Sequence, residues 1–296
     1  MRKYVSFDIG GTDIKYALID ENANIIEKYK IATEAYKGGR TILEKVINIV
    51  KEFKNKEEIS GVAISTAGMV DVKTGEIFYS STIPNYIGIN FKKEIEEKLN
   101  LPCEVENDVN CAGLAEYISG VSKGSKIAVM ITVGTGIGGS IIINGEMLRG
   151  FSNSAGEVAY MNIDGENFQD IASTRALLEE VANKKQENIE NWSGKRVFEE
   201  AKNGDEICSN DIDKMVDILG KGIANICCVV NPEVVVLGGG IMEQEAYLKS
   251  KIEKSLKKYL VAPIEKHTEI RFAKHKNDAG ILGAFYNLLG NKNYVD

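Results

Sequence analysis

The chain has 296 residues, which is long for a single hydrophobic core and therefore predicts two domains. It contains 36 Lys and Arg residues and 43 Asp and Glu residues, which gives a net charge of −7. This charge argues against nucleic acid or an anionic membrane surface as partner. No apolar run approaches the roughly 18 residues of a membrane helix, and the opening residues do not resemble a signal peptide, so we expect a cytoplasmic protein.

Strands and helices alternate along the first half of the sequence. A three-stranded meander is predicted first, because apolar runs are separated by a glycine-rich turn and then by an Asn-rich turn. Apolar residues at helical spacing and short buried strands follow. The predicted ranges are a meander over 4–31, helices over 41–53, 91–99 and 109–119, and strands over 61–65 and 103–106.

The second half repeats this order, which predicts an α/β fold with internal duplication. The predicted ranges are strands over 127–133, 234–237 and 269–273, a helical region over 175–231, a helix that follows 238–240 and runs to about 259, and a last helix over 279–289. We place the domain boundary near 115–125. The N-terminal domain is then 1–118, completed by a C-terminal helix within 277–296, and the C-terminal domain is 119–276.

A glycine-rich turn between two apolar strands is the most informative pattern, because it occurs twice. The first turn is Gly10-Gly11-Thr12 and the second is Gly134-Thr135-Gly136. Backbone N–H groups at such a turn can approach an anion, because no Cβ blocks them. One copy in each half predicts a duplicated fold that holds a polyphosphate from both sides.

The segment 134–139 also matches the pattern Gly-x-Gly-x-x-Gly. A dinucleotide site would require a helix after the glycines, whereas an apolar strand over 140–143 and an Asn-Gly turn follow here. A phosphate-binding hairpin is favoured over a dinucleotide site and over a hairpin without a ligand, because the same design occurs at 10–12.

Asp8 lies inside an apolar strand, just before the first glycine turn. An ionised carboxylate there costs free energy unless a cation meets it, and Mg²⁺, held mostly through water, is a natural partner. Thr12 could donate its hydroxyl to a phosphate. Lys15 could reach a phosphate, or it could equally be a solvated strand lysine.

The segment Glu106-Asn107-Asp108 lies where a predicted strand gives way to a helix. Asn107 or Asp108 could serve only as the N-cap of that helix. The alternative is a general base, since a carboxylate within hydrogen-bond reach can take the proton of a hydroxyl nucleophile as a P–O bond forms. Both interpretations could hold, with one residue in each role.

Two further segments carry weaker signals. Glu157 follows a small-residue turn, and its carboxylate could accept hydrogen bonds from vicinal hydroxyls. The glycines at 238–240 stand between a buried strand and a helix. They could let an adenine and its ribose lie flat on the backbone, or they could form a close-packed turn.

Together these motifs resemble the ROK family (repressors, open reading frames and sugar kinases), within the actin-like sugar kinase and Hsp70 fold group. The resemblance covers essentially the whole chain and rests on five motifs in the family's order. They are Asp8-Ile9-Gly10-Gly11-Thr12, Ser65-Thr66-Ala67-Gly68 with Val70-Asp71, Glu106-Asn107-Asp108, the glycines at 134–139, and Ala155-Gly156-Glu157. The resemblance implies a duplicated actin-like (ribonuclease H-like) α/β fold with two lobes around a cleft.

The resemblance also implies roles for individual residues. Asp108 would be the catalytic base, and Asp8 would hold Mg²⁺, through water. The residues implied in sugar binding are Gly68, Asn85, Asn107, Asp108, Glu157, Tyr160 and Gln169. The residues implied in ATP binding are Asp8, Gly10, Gly11, Thr12, Lys15, Gly134, Thr135, Gly136, Gly238 and Gly239.

Two positions depart from the family pattern. Many members carry a zinc-binding His three residues after the motif Glu, followed by a cysteine-rich loop, and this chain has Tyr160 there. Gln169 stands where a second sugar-binding Glu is usual. We therefore expect no zinc site, and an effect on specificity at the anomeric end of the sugar rather than on phosphoryl transfer. This version resembles the branch that contains β-glucoside kinases.

The predicted activity is ATP-dependent phosphorylation of the primary hydroxyl, O6, of a hexose or β-glucoside, with Mg²⁺ as cofactor. Kinases of N-acetylmannosamine or of free glucose are the nearest alternatives. A non-catalytic sugar sensor, and an ATPase that polymerises or acts as a chaperone, are alternatives of other classes. Only seven residues precede Asp8, where family repressors carry a winged helix-turn-helix, which argues against a DNA-binding regulator. The resemblance suggests a homodimer.

Overall fold

The computed structural model describes residues 1–290 and divides into two compact units. The predicted C-terminal segment 277–296 ends in residues 291–296, which lie outside the described residues. Unit 1 comprises Met1–Gly120, Gly145–Ala155 and the described residues from Asn277 onward, and unit 2 comprises Val121–Asn144 and Gly156–Lys276.

The described elements alternate between strand and helix as predicted. Up to residue 120 they are β1 (Lys3–Ile9), β2 (Asp13–Asp20), β3 (Ile25–Ala32), α1 (Gly39–Lys54), β4 (Ile59–Thr66), β5 (Met69–Asp71), β6 (Glu76–Tyr79), α2 (Phe91–Leu99), β7 (Cys103–Asn107) and α3 (Asp108–Ser119). After residue 120 the strands are β8 (Ile127–Val133), β9 (Ile137–Ile143), β10 (Glu146–Met147), β11 (Asn162–Ile163), β12 (Glu166–Asn167), β13 (Val234–Gly238) and β14 (Glu269–Phe272). The helices after residue 120 are α4 (Phe168–Ala172), α5 (Thr174–Lys185), α6 (Gly194–Lys202), α7 (Glu206–Val230), α8 (Glu245–Tyr259), α9 (Ala262–Glu265) and α10 (Ala279–Leu289).

The first five-stranded sheet has the order β3–β2–β1–β4–β7. Its strand β1 is antiparallel to β2 and parallel to β4. Val62 and Ile64 of β4 join the core that contains α1, whereas Ala63 packs with Cys111 of α3 and Ala284 of α10. Both faces of β4 are therefore covered, which explains why its middle, 61–64, has no polar side chain.

The second five-stranded sheet has the order β10–β9–β8–β13–β14. Its strand β8 is antiparallel to β9 and parallel to β13, so the pairing of the first sheet is repeated. The core of unit 2 is built around the buried aromatic side chains of Phe168, Trp192 and Phe198. The internal duplication predicted from the two glycine turns is confirmed by this topology.

Local sequence signals explain several element ends. Helix α2 begins after Asn90, whose side chain accepts a hydrogen bond from the N–H of Lys93, and it ends at Asn100, which adopts a left-handed conformation (φ 51°). The helix expected directly after 238–240 begins later, because a 3₁₀ turn over Gly240–Gln244 precedes α8. The short strands β5, β6, β10, β11 and β12 carry too few residues for a period and were not predicted.

None of the helices within residues 1–290 combines the length and the apolar character needed to cross a bilayer. The five cysteines form no disulfide, and only Cys228 among them is exposed.

Candidate active site

The first glycine turn closes the hairpin of β1 and β2. The N–H of Gly10 donates to the carbonyl of Asp13 at 3.0 Å, which makes the turn tight. A Cβ on Gly11 would lie 2.9 Å from the side chain of Thr82, so a larger residue would press on that side chain. Thr12 is exposed at the tip. The turn therefore has the small, accessible form that a phosphate contact requires.

The Asp8 carboxylate lies near the end of β1, between Lys15 and Ser65. Ser65 donates its hydroxyl to Oδ1 at 3.0 Å, and Lys15 Nζ lies 3.6 Å from Oδ2. Burial raises the pKa of Asp8, and Lys15 and Ser65 oppose that rise. A Cβ on Gly280 would lie 2.4 Å from Oδ1, so the carboxylate rests against the first turn of α10. Lys15 thus pairs with Asp8 and is not a fully solvated strand lysine.

The chemistry of Asp8 fits a Mg²⁺ ion held through water. Mg²⁺ takes few protein carboxylates and keeps several waters, and a single, largely buried carboxylate at the end of a strand matches that demand. Within residues 1–290 no group of three or more His, Cys, Asp or Glu side chains could hold a metal ion. The absence of zinc stays a prediction.

Asn107 and Asp108 differ in what they do at the start of α3: one is the N-cap of the helix, and the other is the candidate general base. Asn107 is the N-cap of α3, because its Oδ1 accepts from the N–H groups of Val109 at 2.9 Å and Asn110 at 3.1 Å. Asp108 is the first helical residue, and its Oδ1 accepts from Asn107 Nδ2 at 3.0 Å and from the N–H of Val109 at 2.9 Å. Since the cap is Asn107, Asp108 remains the candidate for the general base.

Gly68 lies beside this pair. Its carbonyl accepts a hydrogen bond from Asn107 Nδ2 at 3.0 Å. Gly68 has a φ of +101°, and a Cβ there would lie 2.7 Å from the carbonyl oxygen of Tyr79, so only glycine fits. The structure therefore brings three predicted sugar-binding residues of unit 1 together, and it fixes the orientation of the Asn107 amide.

Asn85 and Tyr86 lie in the loop before α2. Asn85 is exposed and left-handed, with a φ of 51°. Tyr86 is buried, and its hydroxyl lies 2.6 Å from Thr66 Oγ1. Burial raises the pKa of Tyr86, the bond to Thr66 opposes that rise, and the charge of Asp108 adds to it. Sequence analysis missed Tyr86, because a single aromatic residue in a loop gives no pattern.

Glu106 is the first residue of the motif Glu106-Asn107-Asp108, and no role was predicted for it. Its side chain is only 2 % exposed and pairs with Arg149, whose Nε lies 2.8 Å from Oε2. Its Oε1 accepts from the N–H of Asn107 at 2.8 Å and from Asn110 Nδ2 at 2.9 Å. Arg149 was also missed, because 43 residues separate the two partners and no local pattern joins them.

The second glycine turn lies at the N-terminus of α5 in unit 2. The N–H of Gly134 donates to the carbonyl of Gly136 at 2.9 Å, and the N–H of Thr174 donates to the carbonyl of Gly134 at 2.9 Å. Ser173 caps α5 by accepting from the N–H of Ala176 at 3.2 Å. Strand β9 follows the glycines directly, which excludes a dinucleotide motif. A helix N-terminus beside a glycine turn favours a bound phosphate.

A cavity of about 720 Å³ opens beside this turn, wholly within unit 2. Its volume falls in the range of about 300–1,000 Å³ that is usual for small-molecule sites. Residues from four separate segments line it, among them Gly134, Thr135, Thr174, Gly194, Gly240 and Ile241. The cavity therefore joins the predicted phosphate turn to the glycines that follow β13.

The glycines at 238–240, at the end of β13 and just after it, differ from one another in their surroundings. A Cβ on Gly238 would lie 2.5 Å from Met130 Cε, and a Cβ on Gly239 would lie 2.2 Å from the carbonyl oxygen of Val133. Close packing alone therefore explains glycine at these two positions. Gly240 lines the cavity, and a Cβ there would have nothing within 4 Å. Gly240 was not among the predicted ATP-binding residues.

Glu157 follows a tightly packed turn in unit 2. The preceding Gly156 has a φ of +88°, and a Cβ there would lie 2.5 Å from the carbonyl oxygen of Gly139 in β9. Burial raises the pKa of Glu157. A half-buried carboxylate on a rigid turn is suited to accepting hydrogen bonds from a polar ligand.

Tyr160 and Gln169 lie on neighbouring segments of unit 2. The hairpin of β11 and β12 connects them, and the N–H of Phe168 donates to the carbonyl of Met161 at 2.8 Å. Tyr160 is exposed. A Cβ on Gly136 would lie 2.7 Å from Gln169 Oε1, so Gln169 lies against the second glycine turn. The structure thus joins a predicted sugar residue to a predicted phosphate turn.

Comparison with known proteins identifies the family of the chain. The ROK family profile matches residues 4–290. An uncharacterized protein of Clostridium perfringens is 50 % identical over 99 % of this chain and 100 % of its own length. A β-glucoside kinase of Listeria monocytogenes is 28 % identical over 98 % of this chain and 99 % of its own.

A solved structure gives the same answer for the fold. The ROK family glucokinase of Streptomyces griseus, in complex with glucose and AMPPNP, is 26 % identical with a TM-score of 0.83, and the match covers 95 % of this chain and 97 % of the glucokinase. The predicted duplicated actin-like fold is thereby confirmed. With the family profile matched over nearly its whole length, this chain belongs to the ROK family.

Proposed function

We propose that this protein is an ATP-dependent kinase that phosphorylates the primary hydroxyl, O6, of a hexose or β-glucoside. The observation that carries the proposal is the Asn107–Asp108 pair, in which a carboxylate at the start of α3 is oriented by an amide that Gly68 holds in turn. Relatives named glucokinase and β-glucoside kinase support the same activity.

Asp108 acts as the general base in this proposal. Its carboxylate takes the proton of the sugar hydroxyl as that oxygen bonds to phosphorus. Asn107 keeps the carboxylate in one orientation, because its amide is fixed by the α3 cap on one side and by the Gly68 carbonyl on the other. Most of the remaining catalysis is positioning and electrostatic stabilisation.

ATP is assigned to the cavity and to the two glycine turns. The cavity in unit 2 takes the nucleoside, and the backbone at 134–136 with the N-terminus of α5 binds phosphate. The turn at 10–12 and Lys15 are assigned to phosphate as well. Mg²⁺, held by Asp8 through water, would neutralise charge on the phosphates. A bound AMPPNP in the Streptomyces griseus glucokinase supports ATP as the donor.

The residues assigned to the sugar are Gly68, Asn85, Asn107, Glu157, Tyr160 and Gln169. Glu157 accepts hydrogen bonds from vicinal hydroxyls of the sugar. Tyr160 and Gln169 can each donate and accept hydrogen bonds without a charge or a metal, and we assign them to selection at the anomeric end.

The proposal is tested by measuring ADP release from Mg·ATP with glucose, cellobiose, an aryl β-glucoside, N-acetylmannosamine, mannose and fructose, and without sugar. We expect release above the sugar-free rate with glucose or with the β-glucosides. Release with N-acetylmannosamine alone would favour that kinase instead. Sugar binding without release would indicate a sensor, and release that no sugar changes would indicate a different ATPase.

A further inference from the structure

The Arg149 side chain bridges two distant parts of unit 1. Its Nε donates to Glu106 Oε2 at 2.8 Å, and its Nη2 donates to Asn287 Oδ1 at 3.2 Å. The Glu106 side chain is 2 % exposed, and Arg149 is the cation with which it pairs. A buried carboxylate that loses its cation is strongly unfavourable, which makes the pair hard to remodel.

Glu106 in turn holds the residues on either side of Asp108. Its Oε1 accepts from the N–H of Asn107, which precedes Asp108, and from Asn110 Nδ2, which follows it by two residues. Asn107 is the cap of α3. The position of the Glu106 carboxylate therefore fixes the start of the helix on which the proposed base stands.

The main chain of Arg149 closes a loop. Its carbonyl accepts a hydrogen bond from the N–H of Ala155 at 3.0 Å. Gly150, with a φ of +73°, begins the loop, and a Cβ there would lie 3.1 Å from the Ala155 side chain. The fully exposed Phe151 lies in it, and the chain then runs directly into Gly156 and Glu157.

We propose that Arg149 is a positioning residue of the phosphoryl-transfer reaction, an inference that rests on the proposed function. Through Glu106 its side chain sets the start of α3, where Asp108 lies. Through the bond to Ala155 its main chain sets the loop that leads into Glu157. One residue thus couples the placement of the base to the placement of the segment that enters the sugar-binding turn.

The same strand offers a matched control. Glu104, two residues before Glu106 on β7, pairs with Lys92 at the same distance of 2.8 Å. Its side chain is 35 % exposed, and the contacts described for the cap of α3 do not include it. Lys92→Gln therefore removes a comparable ion pair without reaching the start of α3.

The experiment compares Arg149→Gln, Arg149→Lys and Lys92→Gln in steady-state kinetics, with the best sugar of the panel. In Arg149→Gln we expect kcat/KM for sugar to fall about 10²-fold, while KM for ATP changes by less than about twofold. Arg149→Lys should recover part of the loss, because lysine keeps the charge but not the fork of two nitrogens. Lys92→Gln should match the wild type.

The inference is overturned if Arg149→Gln lowers thermal stability but leaves kcat and the sugar KM within about twofold of wild type. If Arg149→Gln does not fold, Arg149→Lys decides the same comparison. A wild-type protein that phosphorylates no sugar would refute the proposed function. Hydrogen exchange of the Ala155 amide then tests whether Arg149 holds the loop. The N–H of Ala155 should exchange faster in Arg149→Gln than in Lys92→Gln, and equal rates would overturn the inference.

Discussion

The two five-stranded sheets share one topology and differ in what stands near the end of the central strand. In the first sheet Asp8 pairs with Lys15 on one neighbouring strand and with Ser65 on the other. In the second sheet the corresponding residue is Thr132, whose partners on both neighbouring strands are glycines. The duplicated scaffold thus presents charged side chains at one copy and bare backbone at the other.

This difference indicates that the two units have different roles in the proposed reaction. The first copy belongs to the unit that holds Asp8 and Asp108, the two carboxylates assigned to Mg²⁺ and to the proton. The second copy belongs to the unit that holds the cavity assigned to the nucleoside. Changes around the first turn should therefore reduce turnover, and changes around the second should reduce nucleotide affinity.

The largest expected effect concerns Asp108, the proposed general base, which lies in the same unit as the first glycine turn. Asp108→Asn should lower kcat by roughly 10²–10⁴-fold with the KM for ATP retained, because the amide cannot take the proton of the nucleophile. The measurement is steady-state ADP release. Glu104→Gln, on the strand that precedes Asp108, is the control and should turn over normally. Near-normal turnover in Asp108→Asn would refute the base assignment.

A second prediction displaces Asp8 without altering it. In Gly280→Ala the new Cβ would lie 2.4 Å from Asp8 Oδ1, so the carboxylate must move. We expect kcat to fall by roughly 10–10²-fold and the Mg²⁺ concentration for half-maximal activity to rise. Asp8→Asn should show the same defect, and the double variant should add little to it. Additive losses would show that Gly280 acts elsewhere.

The third prediction concerns the cavity beside the second glycine turn, which is assigned to the nucleoside. Gly240→Leu places a side chain in the cavity, since a Cβ at that position meets nothing within 4 Å. We expect the KM for ATP to rise about tenfold with kcat and the sugar KM retained, and Gly240→Ala to cause a smaller rise. A fall in kcat at saturating ATP would contradict the division between the two copies.

The smallest expected effect is a pH dependence of sugar binding. It extends the comparison of the two units, because unit 2 also holds a carboxylate assigned to the sugar, that of Glu157. Burial raises the pKa of Glu157, so its charge is lost on acidification at a higher pH than for an ordinary Glu. Since the folded protein binds this proton more tightly than the unfolded chain, ionisation of Glu157 costs stability above its pKa, and protonation removes that cost as pH falls. Sugar binding should weaken over the same window.

The measurement for Glu157 is the pH dependence of the sugar KM. In the wild type we expect the KM to rise as pH falls through the raised pKa. In Glu157→Gln the KM should be high throughout and nearly flat. Parallel pH profiles for the two proteins would assign the acid limb to another group.

The sequence predicted those parts of the molecule whose signals are local. Both glycine turns, the strands before them and a cap at Asn107 or Asp108 follow from residues within a few positions of one another. The Glu106–Arg149 pair and the walls of the cavity depend on contacts between residues that are far apart in the sequence. No periodicity or motif spacing predicts such contacts. Gly239 shows the same limit, because the packing against Val133 that requires glycine there is visible only in three dimensions.

The most direct test of the central claim is the identity of the phosphorylated atom. Glucose and an aryl β-glucoside are incubated with Mg·ATP, and the products are examined by phosphorus and proton NMR. The account predicts a phosphoryl group on the primary O6 of the sugar, formed at least about 10²-fold more slowly by Asp108→Asn. A phosphoryl group on another oxygen, or ADP formed without any phosphorylated sugar, would contradict it.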